Sequence, residues 1–152
     1  MLFGLCTLIG IRIAARKTAR FRTLQQLKER LCLFSERISG GCGSLKDAAP
    51  GEGVFAEMLE RYLKTLSEGG TEAEAARQAA DLLLQGSAEQ TGANAFFTGL
   101  SAASRSDLLK RAERLTQTLE RAEREADEDA KKARVIRVSG ALIGAGLAIL
   151  LL

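Results

Sequence analysis

The chain has no histidine and no tryptophan, and only one proline, one tyrosine and three cysteines. Without imidazole there is no histidine-based triad and no imidazole general acid or base. Structural zinc normally takes four Cys or His ligands, which three cysteines cannot supply. Cys6, Cys32 and Cys42 are odd in number and unevenly spaced, so they do not form a disulfide framework and read as buried or idle thiols. No catalytic residue, metal site or cofactor is expected. The scarcity of proline and aromatics leaves a chain rich in Ala, Leu, Glu, Arg and Gln, an all-α composition. At 152 residues it is long enough for one domain with a core and short for two.

Charge is absent from long stretches as well. No charged side chain occurs in residues 1–11 or after Arg137. Next to each apolar end lies a basic collar without an acid: Arg12, Arg16, Lys17, Arg20 and Arg22 at one end, Lys131, Lys132, Arg134 and Arg137 at the other. The whole chain carries +3 and the two collars +9, which leaves −6 for residues 23–130. An acidic body with few aromatics does not suit nucleic acid, whose partners spread basic residues over the folded body and stack bases on rings. The collars suit an anionic membrane surface instead.

The sequence therefore divides into an N-terminal membrane segment (1–15), a cytoplasmic helical bundle (16–137) and a C-terminal membrane segment (138–152). Both segments are short, about 15 residues against the 20 or so that a bilayer crossing takes. Thinning of the bilayer, snorkelling of Arg12 and Arg137, or a surrounding assembly would have to make up the difference. In the first run the basic residues follow the apolar stretch, and in the second they precede it. By the positive-inside rule both arrangements place the body in the cytoplasm, so two separate ends give one topology. "VSGALIGAGLAILLL" spaces Gly140 and Gly144 four apart, with Gly146 and Ala148 extending a small-residue face that lets membrane helices approach closely. Gly4 and Gly10, with Cys6 and Thr7, are its candidate partners at the other end.

The body reads as an antiparallel bundle between two long helices. Leu24, Leu27, Leu31, Phe34 and Ile38 step by three and four along the first helix, which nothing breaks between Ile11 and Ser39. "SGGCGS" stops it; with no Gly-Lys-Ser/Thr ending and no preceding strand, this is a helix stop and not a phosphate loop. Ser44 with Asp47 caps a short turn. Phe55, Met58, Leu59, Tyr62, Leu63 and Leu66 form the inward face of a helix from Val54. Thr71 with Glu74 caps the next helix, whose face is Ala75, Ala76, Ala79, Leu82 and Leu83. Residues 88–100 turn Phe96, Phe97 and Leu100 inward. Ser104 with Asp107 caps the last helix, predicted to run straight into the apolar end for about 45 residues, or about 70 Å. Its inward row is Leu108, Ala112, Leu115, Leu119, Ala122, Ala126, Ala133 and Ile136. Glu123, Glu125, Asp127, Glu128 and Asp129 form an acidic patch, a solvated face or a candidate site for a basic partner.

Taken in order, these elements resemble the stage III sporulation protein AB family. The resemblance rests on the short apolar start, the "RTLQQLKERLCLFSERI" helix, "LSAASRSDLLKRAERL", and above all the basic collar followed by "SG...G.G...LLL". The "SGGCGS" loop and Leu100-Ser101 depart from the family pattern. The resemblance implies a non-enzymatic membrane subunit of a secretion-like complex that joins mother cell and forespore during endospore development. It implies a position in the mother-cell membrane around the forespore, with the helical body in the cytoplasm. It further implies likeness to the platform protein of type II secretion, whose helical domain meets a cytoplasmic ATPase, and partners among the other subunits, a homo-oligomer included. The alternatives are a pore former, disfavoured by apolar runs with no polar stripe, and a generic membrane-anchored helical adaptor.

Overall fold

The computed structural model describes the backbone of residues 2–42, 44–49 and 51–150, and the side chains of residues 18–42, 44–49, 51–129, 131 and 132. Among these residues there are six helices and no strand: α1 (Leu2–Ser39), α2 (Leu45–Ala48), α3 (Val54–Ser67), α4 (Glu72–Ala80), α5 (Ala88–Phe97) and α6 (Arg105–Leu150). The chain divides into two compact units, Thr23–Ala122 and a second made of Met1–Arg22 with Glu123–Leu152.

The helix ends follow from local chemistry. At the end of α1 the Cys42 amide donates to the Arg37 carbonyl and the Gly41 amide to that of Ile38, the two bonds of a Schellman motif, with Gly41 at φ 95° as its left-handed residue. The end of α3 repeats the motif with a double glycine. Gly69 takes φ 84°, while the Gly70 amide donates to the Thr65 carbonyl at 2.9 Å. A Cβ on Gly70 would lie 2.7 Å from the Thr65 Cγ2 and 2.9 Å from its carbonyl oxygen, so the two glycines are there for different reasons. Immediately afterwards Thr71 and Glu74 form a full capping box, the Thr71 amide donating to the Glu74 carboxylate and the Glu74 amide to the Thr71 Oγ1. Ser44 and Ser104 cap α2 and α6 through the amides of Asp47 and Asp107, as the sequence indicates. In each case the aspartate also accepts from the serine hydroxyl.

Within the Thr23–Ala122 unit the core is centred on rings. Phe34 of α1 packs on Phe55 of α3 at 5.2 Å between centroids. Phe55 in turn meets Phe96 and Phe97 of α5 at 6.0 and 6.3 Å. Phe96 and Phe97 stand edge to face at 5.1 Å, and Tyr62 lies 5.4 Å from Phe97. All five rings are essentially fully buried, so three helices far apart in sequence are held by area burial and by ring geometry worth about 0.5–1.5 kcal/mol per pair beyond it. Leu24, Leu27 and Leu31 of α1 and Leu108, Leu115 and Leu119 of α6 extend this core, and α4 adds only alanines, Ala75, Ala76, Ala79 and Ala80. The Arg105 guanidinium donates to the Ser39 carbonyl. The closing end of α1 thus meets the opening end of α6, the contact an antiparallel pair requires.

The remaining expectations divide. The inward row of α6 is buried from Leu108 through Ala126; Ala133 and Ile136 lie outside the described side chains. Leu63, Leu66 and Leu82 are only half-buried, and Thr65 and Ala80 take up buried positions beside them. Cys32 and Cys42 are free and exposed, not buried, because α1 turns Leu31 and Phe34 inward and leaves position 32 on its outer side; Cys6 lies outside the described side chains. Among the described residues no helix is long and apolar enough to cross a membrane, so the extension of α1 and α6 into membrane segments gains no support there. The two apolar runs, 1–11 and 138–152, lie outside the described side chains.

Two substitutions test this account by thermal unfolding of the full chain. Gly70→Ala is expected to cost about 1–3 kcal/mol, since the added methyl meets a backbone oxygen that cannot yield cheaply. Phe55→Ala, at the centre of the rings, is expected to cost about 3–5 kcal/mol.

Candidate functional site

Three features of the described surface combine charge with fixed geometry. The first is a junction at the start of α4. Glu72 is the first residue of that helix, and its Oε1 accepts from the Tyr62 hydroxyl at 3.0 Å, the Ser101 hydroxyl at 2.7 Å and the Ser101 amide at 3.3 Å. One carboxylate oxygen therefore ties α3 and α4 to the turn that precedes α6. The Ser101 and Tyr62 hydroxyls hold the Glu72 carboxyl below its usual range, and a position in the first helical turn favours the same charged form. Burial, then the hydrogen bond donated to Glu72 and the charge of that carboxylate, push the Tyr62 phenol up. The geometry fixes a turn; it leaves no side chain poised as a nucleophile.

The second feature is a groove between α5 and α6 with a volume of about 420 Å³. The α6 wall carries Lys110, Arg111 and Arg114, and the α5 wall is Gly92 and Ala95 over Phe96. Gly92 permits the close approach: a Cβ there would lie 3.2 Å from the Thr118 Cγ2 and 3.3 Å from the Leu115 Cδ1. Arg111 donates to the carbonyls of Ala95 and Thr98, which α5 leaves unsatisfied at its C-terminal end. Arg37 does the same for Ala49 at 2.7 Å. These guanidinium contacts to neutral carbonyls fix the cations without cancelling their charge. A second groove, between α3 and α4, is lined by Glu57, Glu60, Glu68, Arg61 and Lys64 and has no dominant sign.

The third feature is the pair of basic collars. Residues 1–22 and 123–152 fall in one compact unit, so the collars at either end of the sequence, and the acidic patch, belong together. Of the collar residues, Arg20 is half-buried, and Arg22, Lys131 and Lys132 are exposed; Arg12, Arg16, Lys17, Arg134 and Arg137 lie outside the described side chains. In the acidic patch Glu125 and Glu128 are exposed, while Glu123, Asp127 and Asp129 are half-buried. Patch and collar touch: Asp127 pairs with Lys131 at 2.6 Å, one turn on, and this raises the Lys131 ammonium pKa. Gly4, Gly10, Gly140, Gly144 and Gly146, the proposed helix contact, lie outside the described side chains.

A family model for stage III sporulation protein AB matches residues 1–152, the whole chain. The chain belongs to the stage III sporulation protein AB family. Its role is accordingly in sporulation. No curated protein and no solved structure matches the chain significantly. Among the described residues no group of three or more Cys, Asp or Glu side chains is placed to hold a metal ion. Sequence reasoning located the collars and the acidic patch of this family member but missed Glu72, Arg111 and the α5–α6 groove. The groove had one usable signal, the basic spacing Lys110, Arg111, Arg114 on one side of α6; the other wall depends on tertiary packing.

The Glu72 junction predicts opposite pH limits. A lowered Glu72 pKa adds stability present above the unfolded value and lost as pH falls through the folded one; Glu72→Gln abolishes that acid-side dependence. A raised Tyr62 pKa means the native state holds its proton more tightly, so stability is complete below the unfolded value of about 10 and falls as pH rises through the folded one. In melting temperatures measured from pH 8 to 12, the alkaline decline is expected to be shallower in Tyr62→Phe than in the unsubstituted chain.

Proposed function

We propose that this sporulation protein is a membrane-anchored, non-enzymatic subunit of a secretion-like complex between mother cell and forespore. In this reading its helical body, residues 16–137, lies in the mother-cell cytoplasm and engages a cytoplasmic ATPase. The observation that carries the reading is the placement of both basic collars, each next to an uncharged apolar run, in one compact unit. Two runs of about 15 residues are individually short for a bilayer of about 30 Å, but side by side they share one site of bilayer adjustment. Their glycines, Gly140 and Gly144 against Gly4 and Gly10, permit close helix contact in lipid, where small residues replace the hydrophobic drive available in water. The collars add attraction to anionic headgroups, about 1 kcal/mol for each Lys or Arg near the surface.

The expected outcome is retention in the membrane pellet after a carbonate wash, and loss of retention when residues 138–152 are deleted. Release of the intact protein by carbonate would defeat the reading. The exposed Cys32 and Cys42 test the topology in a Cys6→Ala background. A membrane-impermeant maleimide is expected to label them only after the mother cell is permeabilised. Gly144→Ile is expected to reduce recovery of the complex's ATPase with the tagged protein and to block sporulation.

A further inference from the structure

We propose that the groove between α5 and α6 is the docking site for an acidic, amphipathic helix of a protein partner. The inference rests on the reading of the chain as an assembly subunit and names the surface that assembly uses. The body is acidic overall, so the cationic row Lys110, Arg111 and Arg114 is a local reversal of sign. It belongs to the Thr23–Ala122 unit, whereas the collars belong to the other. Asp107 lines one end of the groove and offsets part of that charge, acting on Lys110 and Arg111 while it holds the Ser104 cap; the one acid of α5, Glu89, is buried, so the three cations leave the groove net positive. Lys110 and Arg114 are exposed and stand at i and i+4, about 5–6 Å apart at Cβ.

The shape selects an elongated partner over a small anion. From Asp107 to Thr118 the groove follows α6 for about 17 Å, or three helical turns. The opposite wall presents the exposed Ala95 above a buried ring, a small surface on which a second helix can set small apolar side chains. Carboxylates at three- and four-residue spacing on such a helix would meet Lys110 and Arg114 in register. Arg111 is held on the carbonyls of Ala95 and Thr98 and presents its charge with little ordering left to lose on binding. The ring at the groove, Phe96, is buried and gives single-stranded nucleic acid no stacking platform.

The test uses the full chain in lipid nanodiscs and a labelled 15-residue peptide with glutamates along one helical face and alanine and leucine along the other. Fluorescence anisotropy is expected to show saturable binding that weakens with salt. Binding should fall at least tenfold in Lys110→Glu with Arg114→Glu, and stay unchanged in Lys64→Glu on the α3–α4 groove. A peptide of the same composition with its glutamates scrambled around the helix should bind at least tenfold more weakly. Equal binding of ordered and scrambled peptides, or of the unsubstituted chain and the double variant, would overturn the proposal. So would stronger competition by inorganic polyphosphate, by oligonucleotide or by anionic vesicles than by unlabelled peptide. Both substituted positions are exposed, so the double variant should keep its melting temperature and its carbonate-resistant membrane retention. Loss of retention in the unsubstituted chain would count against the membrane reading alone, and loss of peptide discrimination against the groove alone.

Discussion

The fold of the Thr23–Ala122 unit depends on the contact of four phenylalanines and one tyrosine. The chain has six phenylalanines and one tyrosine in all, and five of these seven rings form a single buried group. The intervening helices are short, and an isolated helix of nine or ten residues is marginal in water. α4 and α5 therefore hold their form by tertiary burial. The rings supply it to α5 directly through Phe96 and Phe97. They supply it to α4 through α3, which shares the Tyr62–Glu72 bond with it. The same packing sets the height of the Phe97–Leu100 turn, and so the place where Arg111 finds the carbonyls of Ala95 and Thr98.

Periodicity and capping chemistry made most of this architecture legible. Thr71 with Glu74, Ser104 with Asp107, and the "SGGCGS" stop are local signals, each decided by atoms within five residues, and local signals survive without knowledge of the fold. The half-burial of Leu63, Leu66 and Leu82 was not legible. On α3 the buried face runs through Phe55, Met58, Leu59, Tyr62 and Thr65, which leaves Leu63 and Leu66 at its margins, and Leu82 lies in the turn beyond the end of α4 at Ala80. Nor was Glu72 visible as a junction. In sequence it is one acid among several in a first helical turn, and its distinction comes from Tyr62 ten residues before and Ser101 twenty-nine residues after.

The arginines divide along the same line. Those in the collars are conspicuous in sequence because no acid interrupts them. Arg37, Arg105 and Arg111 are not, since each sits among residues of mixed charge. Their shared use is to satisfy carbonyls at helix ends: Ala49 for Arg37, Ser39 for Arg105, and Ala95 with Thr98 for Arg111. The last carbonyls of a helix have no intrahelical partner, and a guanidinium with five donors in a fixed fork meets them in a geometry a lysine would not specify.

This division gives the molecule two kinds of positive surface with different physics. A collar of lysines and arginines beside an apolar run acts through summed charge. It tolerates rearrangement and fades within a Debye length of about 8 Å at physiological salt. An arginine fixed on carbonyls, with Lys110 and Arg114 beside it along a straight helix, presents charge at defined spacing, and defined spacing is what discriminates one partner from another. For a chain whose family places it in a sporulation assembly, the first kind suits a lipid surface, where many headgroups are equivalent. The second suits a protein surface, where register decides the fit.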